Sequence, residues 1–235
     1  METTNNTSVA GYLSRRKEIR MEMDVADHIG AQQFNLIMCG VLAWGFLVNA
    51  LMVTYLTEPL FDMLQGVRPI VLIIGYLVLG IGGVVLSAKS DNPWLSFLGF
   101  NMLVLPMGVL LCLLLPTIPV VIVNKALILT GIVTATMVVL GVTFPQLFLG
   151  IGRTLFVALL AGLVAEVVAT LLLGYRGAAF DWFFVLIFSG YIGYDIAKSQ
   201  AYPKTVDNAV DCALDIYIDI INLFIRLLSI LNRRS

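Results

Sequence analysis

Charge is scarce in this chain, and histidine is scarcer. Only 12% of the 235 residues are charged, against about a quarter in an ordinary soluble domain. Hydrophobic residues make up 60%, and the mean hydropathy is +0.97. A soluble globular domain is excluded by these values. Long apolar runs recur along the whole chain, which is the pattern of a polytopic membrane protein. The single histidine, His28, precedes the first apolar run and reads as a solvated residue. A Ser–His pair within the bilayer and a His-ligated zinc or haem site are thereby excluded. The three cysteines, Cys39, Cys112 and Cys212, lie in or beside apolar runs without metal-type spacing. Each is expected to be a small buried apolar residue, outside any disulfide framework. No glycine-rich phosphate loop of the Walker or Rossmann type is present. With a net charge of −1 and no large basic patch, nucleic acid is not an expected partner. Neither a bound cofactor nor a catalytic activity is expected.

What is abundant is apolar sequence of spanning length. Seven segments stand out, at about 34–56, 69–88, 94–115, 123–142, 154–173, 180–197 and 206–231. A helix needs about 20 residues to cross the hydrocarbon core, and a helix satisfies its own backbone there. The predicted fold is therefore an all-α membrane protein, a seven-transmembrane helix bundle. Residues 1–32 read as a cytoplasmic N-terminal tail without a cleavage pattern, and 33–235 as a single seven-helix transmembrane domain. Met21 to Asp24 and the basic cluster Arg15, Arg16 and Lys17 give a weak amphipathic pattern in the tail. Glu58-Pro59, Asp91 to Pro93, Pro116 to Pro119, Pro145, Gly174 to Gly177 and Tyr202-Pro203 are expected to end helices. The Lys/Arg bias places the N-terminus inside, with Lys89, Arg153, Lys198 and Lys204 on the same side. Seven crossings then leave Arg233 and Arg234 outside, and a re-entrant seventh segment is the alternative.

Against this apolar background the acids are conspicuous. Six of the fifteen acidic residues lie between Asp181 and Asp219. Asp211, Asp215 and Asp219 recur every fourth residue, so they line one helical stripe about 12 Å long. Asn222 and Arg226 continue it. Ionisable groups inside a membrane segment face protein or water, so the last helix is expected to lie among the others. Asp195, near the end of the sixth segment, is brought towards this stripe if the two helices are antiparallel. Two carboxylates so placed in a low dielectric cannot both ionise cheaply, so the pair shares a proton or holds a cation. Glu166, in mid-segment, is either bonded within the bundle or part of a pathway. Asn101 reads as an interhelical hydrogen bonder and Asp181 as a cap on the sixth segment.

Two stretches resemble a known family. Gly190-Tyr191-Ile192 with Tyr194-Asp195 is similar to the sixth span of the Bax inhibitor-1 (TMBIM) family. Ala213 to Phe224, followed by Leu227 to Leu231, resembles that family's C-terminal signature. The specific motifs cover about the last 50 residues, and the seven-segment plan covers nearly the whole chain. The resemblance implies a bundle with the C-terminal helix central, and a pH-sensitive calcium leak whose sensor is the pair matching Asp195 and Asp219. Deprotonated, Asp195 and Asp219 would attract Ca2+ with oxygen ligands of the type it takes. The resemblance further implies a basic latch at the end of the second helix, where Lys89 lies.

The primary reading is thus a calcium or cation leak channel or carrier gated by a proton-sharing aspartate pair, with Ca2+, protons and the lipid bilayer as partners. A bacterial inner membrane is the expected location. One competing reading is a non-transporting modulator that binds another membrane protein or a membrane protease. Another is an intramembrane aspartyl protease, favoured by Tyr194-Asp195 but opposed by the absence of Gly-x-Gly-Asp at Asp219, where Ile216-Tyr217-Ile218 stands instead.

Overall fold

A computed structural model describes residues 28–90, 92–174 and 177–233. The amphipathic pattern of the tail lies outside the described residues. Among the described residues there are eight α-helices and no strand. They are α1 (Ala31–Tyr55), α2 (Thr57–Leu64), α3 (Pro69–Lys89), α4 (Pro93–Leu114), α5 (Val120–Thr143), α6 (Pro145–Leu173), α7 (Ala178–Ala201) and α8 (Val206–Asn232). A 3-10 turn, Leu115–Thr117, follows α4.

Six of these, α1 and α3 to α7, are long and apolar enough to cross a membrane. Their outward side chains are apolar: Leu36, Leu171 and Leu172 are all more than 70% exposed. Such surface is stable against lipid rather than water. The eighth helix is as long, but Asp207, Asp211, Asp215, Asp219 and Arg226 set it apart by charge. It is also the most enclosed, with Leu214, Tyr217 and Leu223 fully buried. An all-α membrane bundle with a buried C-terminal helix is what the polar stripe predicts.

Two boundaries differ from expectation. Pro145 begins α6 instead of ending a helix, so that helix starts nine residues before the predicted Thr154. At the first helical position the missing N–H costs nothing, and the same residue that stops one helix starts the next. Pro59 likewise lies in the first turn of α2, a short helix inside a predicted loop. At the other end of α6, Gly174 takes a left-handed conformation (φ 61°) that terminates the helix. Cys112 and Cys212 are buried as expected, but Cys39 is exposed, because it falls on the outward face of α1.

The described helices form two compact units, residues 28–112 with 202–214 and residues 113–201 with 215–233. In the first, α3 and α4 cross at Gly83 and Gly99. A Cβ on Gly83 would collide with the Gly99 carbonyl, so backbone meets backbone there. Trp44 Nε1 donates to Asn101 Oδ1 at 3.1 Å, the interhelical bond expected of Asn101. The entry to α8 is tied down in this unit. Thr205 Oγ1 accepts from the Asn208 amide (3.1 Å), an N-cap, and Ser96 donates to Asp207 at 2.6 Å.

Lys204, in the α7–α8 loop, lies 4.5 Å from the centre of the Phe34 ring. Burial pushes its ammonium below the ordinary lysine value. The folded chain then releases this proton before the unfolded chain does. Between the two values the unfolded state binds more protons, so stability rises with pH. Lys204→Met is expected to abolish that rise, read as unfolding measured through the alkaline range just below the ordinary lysine value. A rise that persists in the variant belongs to another group.

In the second unit, α5, α6 and α7 pack around the later turns of α8. The core is Phe184, Phe188, Ile192, Leu223 and Leu227, flanked by Met137 and Leu159. Glycines set the spacing again. A Cβ on Gly141 would lie 2.6 Å from the Gly193 carbonyl, and one on Gly193 would enter the Phe148 ring.

Candidate functional site

Four charged side chains meet in the second unit where α7 faces α8. Asp195 and Lys198 are one turn apart on α7, and Asp215 and Asp219 are one turn apart on α8. The Lys198 ammonium lies 2.5 Å from Asp195 Oδ1, a close ion pair, and donates to Asp215 Oδ2 at 3.1 Å. Asp219 lies close enough to Asp195 for the two carboxylates to act on each other electrostatically. Both members of that pair are about 94% buried (6% exposed). Asp219 Oδ2 is buried with no hydrogen-bond donor among the described residues. An orphaned carboxylate oxygen costs free energy unless a proton or cation meets it.

Aromatic rings frame the cluster. Tyr191 stands near Asp219 and Asp195, and its ring meets Tyr194 edge-on at 6.3 Å. Tyr194 in turn lies 5.2 Å from the Lys198 ammonium. Gly152 on α6 leaves room for the Tyr194 ring, since a Cβ there would overlap it.

The remaining predicted residues fall elsewhere. Asp211 is bonded by the Ser87 hydroxyl of α3 in the first unit. Lys89 ends α3, is exposed, and forms no ion pair among the described residues. Asn222 donates back to the Ile218 carbonyl of its own helix at 2.8 Å.

Arg226 joins a second cluster, about 10 Å further along α8 than Asp219. Its two Nη atoms reach Glu166 Oε1 and Oε2 at 2.6 and 2.8 Å, a bidentate pair. Nη1 also donates to Asp181 Oδ1 at 3.1 Å. Asp181 Oδ2 accepts from Ser229 Oγ (2.9 Å) and faces Arg233 Nη2 (3.1 Å). The guanidinium lies 4.2 Å from the Phe184 ring centre. Asp181 is thus a buried ion partner rather than the expected cap, and Glu166 is bonded within the bundle. Phe188, Ile192 and Leu223 of the core lie between the positions of the two clusters along α7 and α8.

Sequence reasoning missed Lys198 as a site residue. The signal was present, since a lysine three positions after Asp195 must share its helical face. Asp181 carried no such signal, because its partners lie 45 and 48 residues away. Among the described residues no group of three or more His, Cys, Asp or Glu side chains is arranged to hold a metal ion.

Comparison with curated proteins gives no match. A family model, however, covers every helix described above. The chain belongs to the Bax1-I family, inhibitor of apoptosis-promoting Bax1, whose model matches residues 31–235.

Proposed function

We propose that this multi-pass membrane protein is a cation leak, calcium being the expected ion, whose conductance is set by protonation of the Asp195–Asp219 pair. The observation that carries the reading is the buried pair itself, with Asp219 Oδ2 lacking a hydrogen-bond donor among the described residues. Three carboxylates there face one ammonium, so full ionisation leaves two excess negative charges in a low dielectric. Two neighbouring carboxyl groups in a low dielectric keep one proton between them. Loss of that proton frees oxygen ligands of the hard type that calcium prefers. The donor set is small for a resident ion, which normally takes about six to eight oxygens. It suits an ion in transit. The expected setting is a bacterial inner membrane with the N-terminus inside.

Calcium flux into proteoliposomes, measured between about pH 6 and pH 8, tests this. The parent is expected to conduct in a pH-dependent way. Asp195→Asn and Asp219→Asn should each flatten that dependence and change the flux at one end of the range by about tenfold, the equivalent of about 1.4 kcal/mol at the site. Folded parent protein that conducts no more than empty liposomes at any pH would sink the proposal, and the modulator reading would then take its place.

A further inference from the structure

The leak reading assigns roles to the aspartates and none to Lys198. We infer that Lys198 is a tethered counter-cation of this site: its ammonium sits on Asp195, the carboxylate of the pair that a permeant cation must also contact, so the two compete. The inference rests on the leak reading for the identity of the competing ion, a divalent cation.

Geometry supplies the argument. Lys198 reaches carboxylates on two helices, Asp195 of α7 at 2.5 Å and Asp215 of α8 at 3.1 Å. It therefore neutralises charge and also bridges α7 to α8. Because it is one turn from Asp195 on the same helix, it cannot diffuse away; it can only swing on its flexible stem. Its side chain is 19% exposed, so it is not fully enclosed and an alternative rotamer is open to it. Tyr194 offers a ring face at 5.2 Å that holds the ammonium near the site. Asp219 lies outside this bridge, and its Oδ2 stays unmatched while Lys198 is in place. Among the described residues, the charged and titratable groups at the cluster are Asp195, Lys198, Tyr191 and Tyr194 from α7 and Asp215 and Asp219 from α8. A divalent ion that gathers oxygens from both helices must displace the ammonium. When it does, it replaces one positive charge by two and inherits the bridge between the helices. Lysine suits this role better than arginine, because an ammonium makes a point contact that a hard cation can outcompete, whereas a guanidinium grips carboxylates bidentately.

Terbium(III) is a suitable probe, since it takes calcium-type oxygen sites and its luminescence is excited by nearby tyrosines such as Tyr191 and Tyr194. Titration of the full-length protein in detergent is expected to show half-saturation at about tenfold lower terbium for Lys198→Gln than for the parent. Lys198→Arg should bind more weakly than the parent. Equal or weaker binding by a monodisperse Lys198→Gln overturns the inference, as does the absence of tyrosine-sensitised binding in both proteins.

A second measurement needs no variant. Lys198 of the parent should become more reactive to an amine-acylating reagent as terbium or calcium is added, read by peptide mass spectrometry. Unchanged or reduced labelling also overturns it. The leak reading fails separately, on calcium flux by the parent. A protein that binds terbium competitively with Lys198 but conducts no calcium retains the site and loses the channel.

Discussion

Arg226→Met is expected to lower the unfolding free energy by about 3 kcal/mol. Removing one partner of a buried ion pair typically costs about 3–5 kcal/mol, because the other charge is left unpaired. The lower end applies here, since the Arg226 and Glu166 side chains keep 20% and 28% exposure. Asp181, at 4%, has no such exposure but keeps Arg233 and the Ser229 hydroxyl. The substitution leaves Glu166 without its bidentate partner, takes one of the two arginines from Asp181, and removes the cation over Phe184. Methionine fills much of the volume, so the loss reports charge more than cavity. Unfolding in mixed micelles gives the value. Adding Glu166→Gln to Arg226→Met should recover part of the loss, because the stranded charge is then gone. A change below about 1 kcal/mol would mean that the cluster behaves as a set of surface pairs.

Gly193→Val is expected to be the most damaging change to function outside the charged residues. Gly193 lies two positions before Asp195, where α7 meets both α5 and α6. Any Cβ there enters the Phe148 ring, and its own carbonyl already lies 2.6 Å from the place a Cβ on Gly141 would take. Inserting bulk into such a contact costs about 1–3 kcal/mol, and α7 must shift to relieve it. A shift of even about 1 Å moves Asp195 away from Asp219 and Lys198, enough to spoil a positioned site. The expected result is folded but destabilised protein whose calcium flux no longer responds to pH. Gly141→Val makes the same separation from α5, which carries none of the charged residues of the cluster, and should reproduce the loss. A normal pH response in both variants would show that the aspartate site tolerates displacement of α7.

Spans were legible because hydropathy is local: an apolar run of about 20 residues has one comfortable place to be. The helix ends at Leu173 and Lys89 followed from Gly174 and from the Asp91-Asn92-Pro93 break for the same reason. Pro145 and Pro59 misled because proline stops a helix behind it and starts one ahead of it, and the sequence does not say which governs.

The period of four among Asp211, Asp215 and Asp219, and the cost of carboxylates in lipid, were enough to determine an enclosed last helix with a polar stripe. They were also enough to point to Asp195 as the stripe's neighbour across the α7–α8 turn. Division of the stripe was decided by tertiary structure alone. Asp211 bonds Ser87, Asp215 and Asp219 face the Asp195–Lys198 turn, Asn222 folds back on its own helix, and Arg226 takes Glu166 and Asp181. The reason is that periodicity places a residue on a face, whereas its partner is whatever packing brings opposite. For Arg226 that partner is 60 residues away in the chain, and the approach of the helices that bring the two together is set by glycine contacts and side-chain volumes rather than by charge.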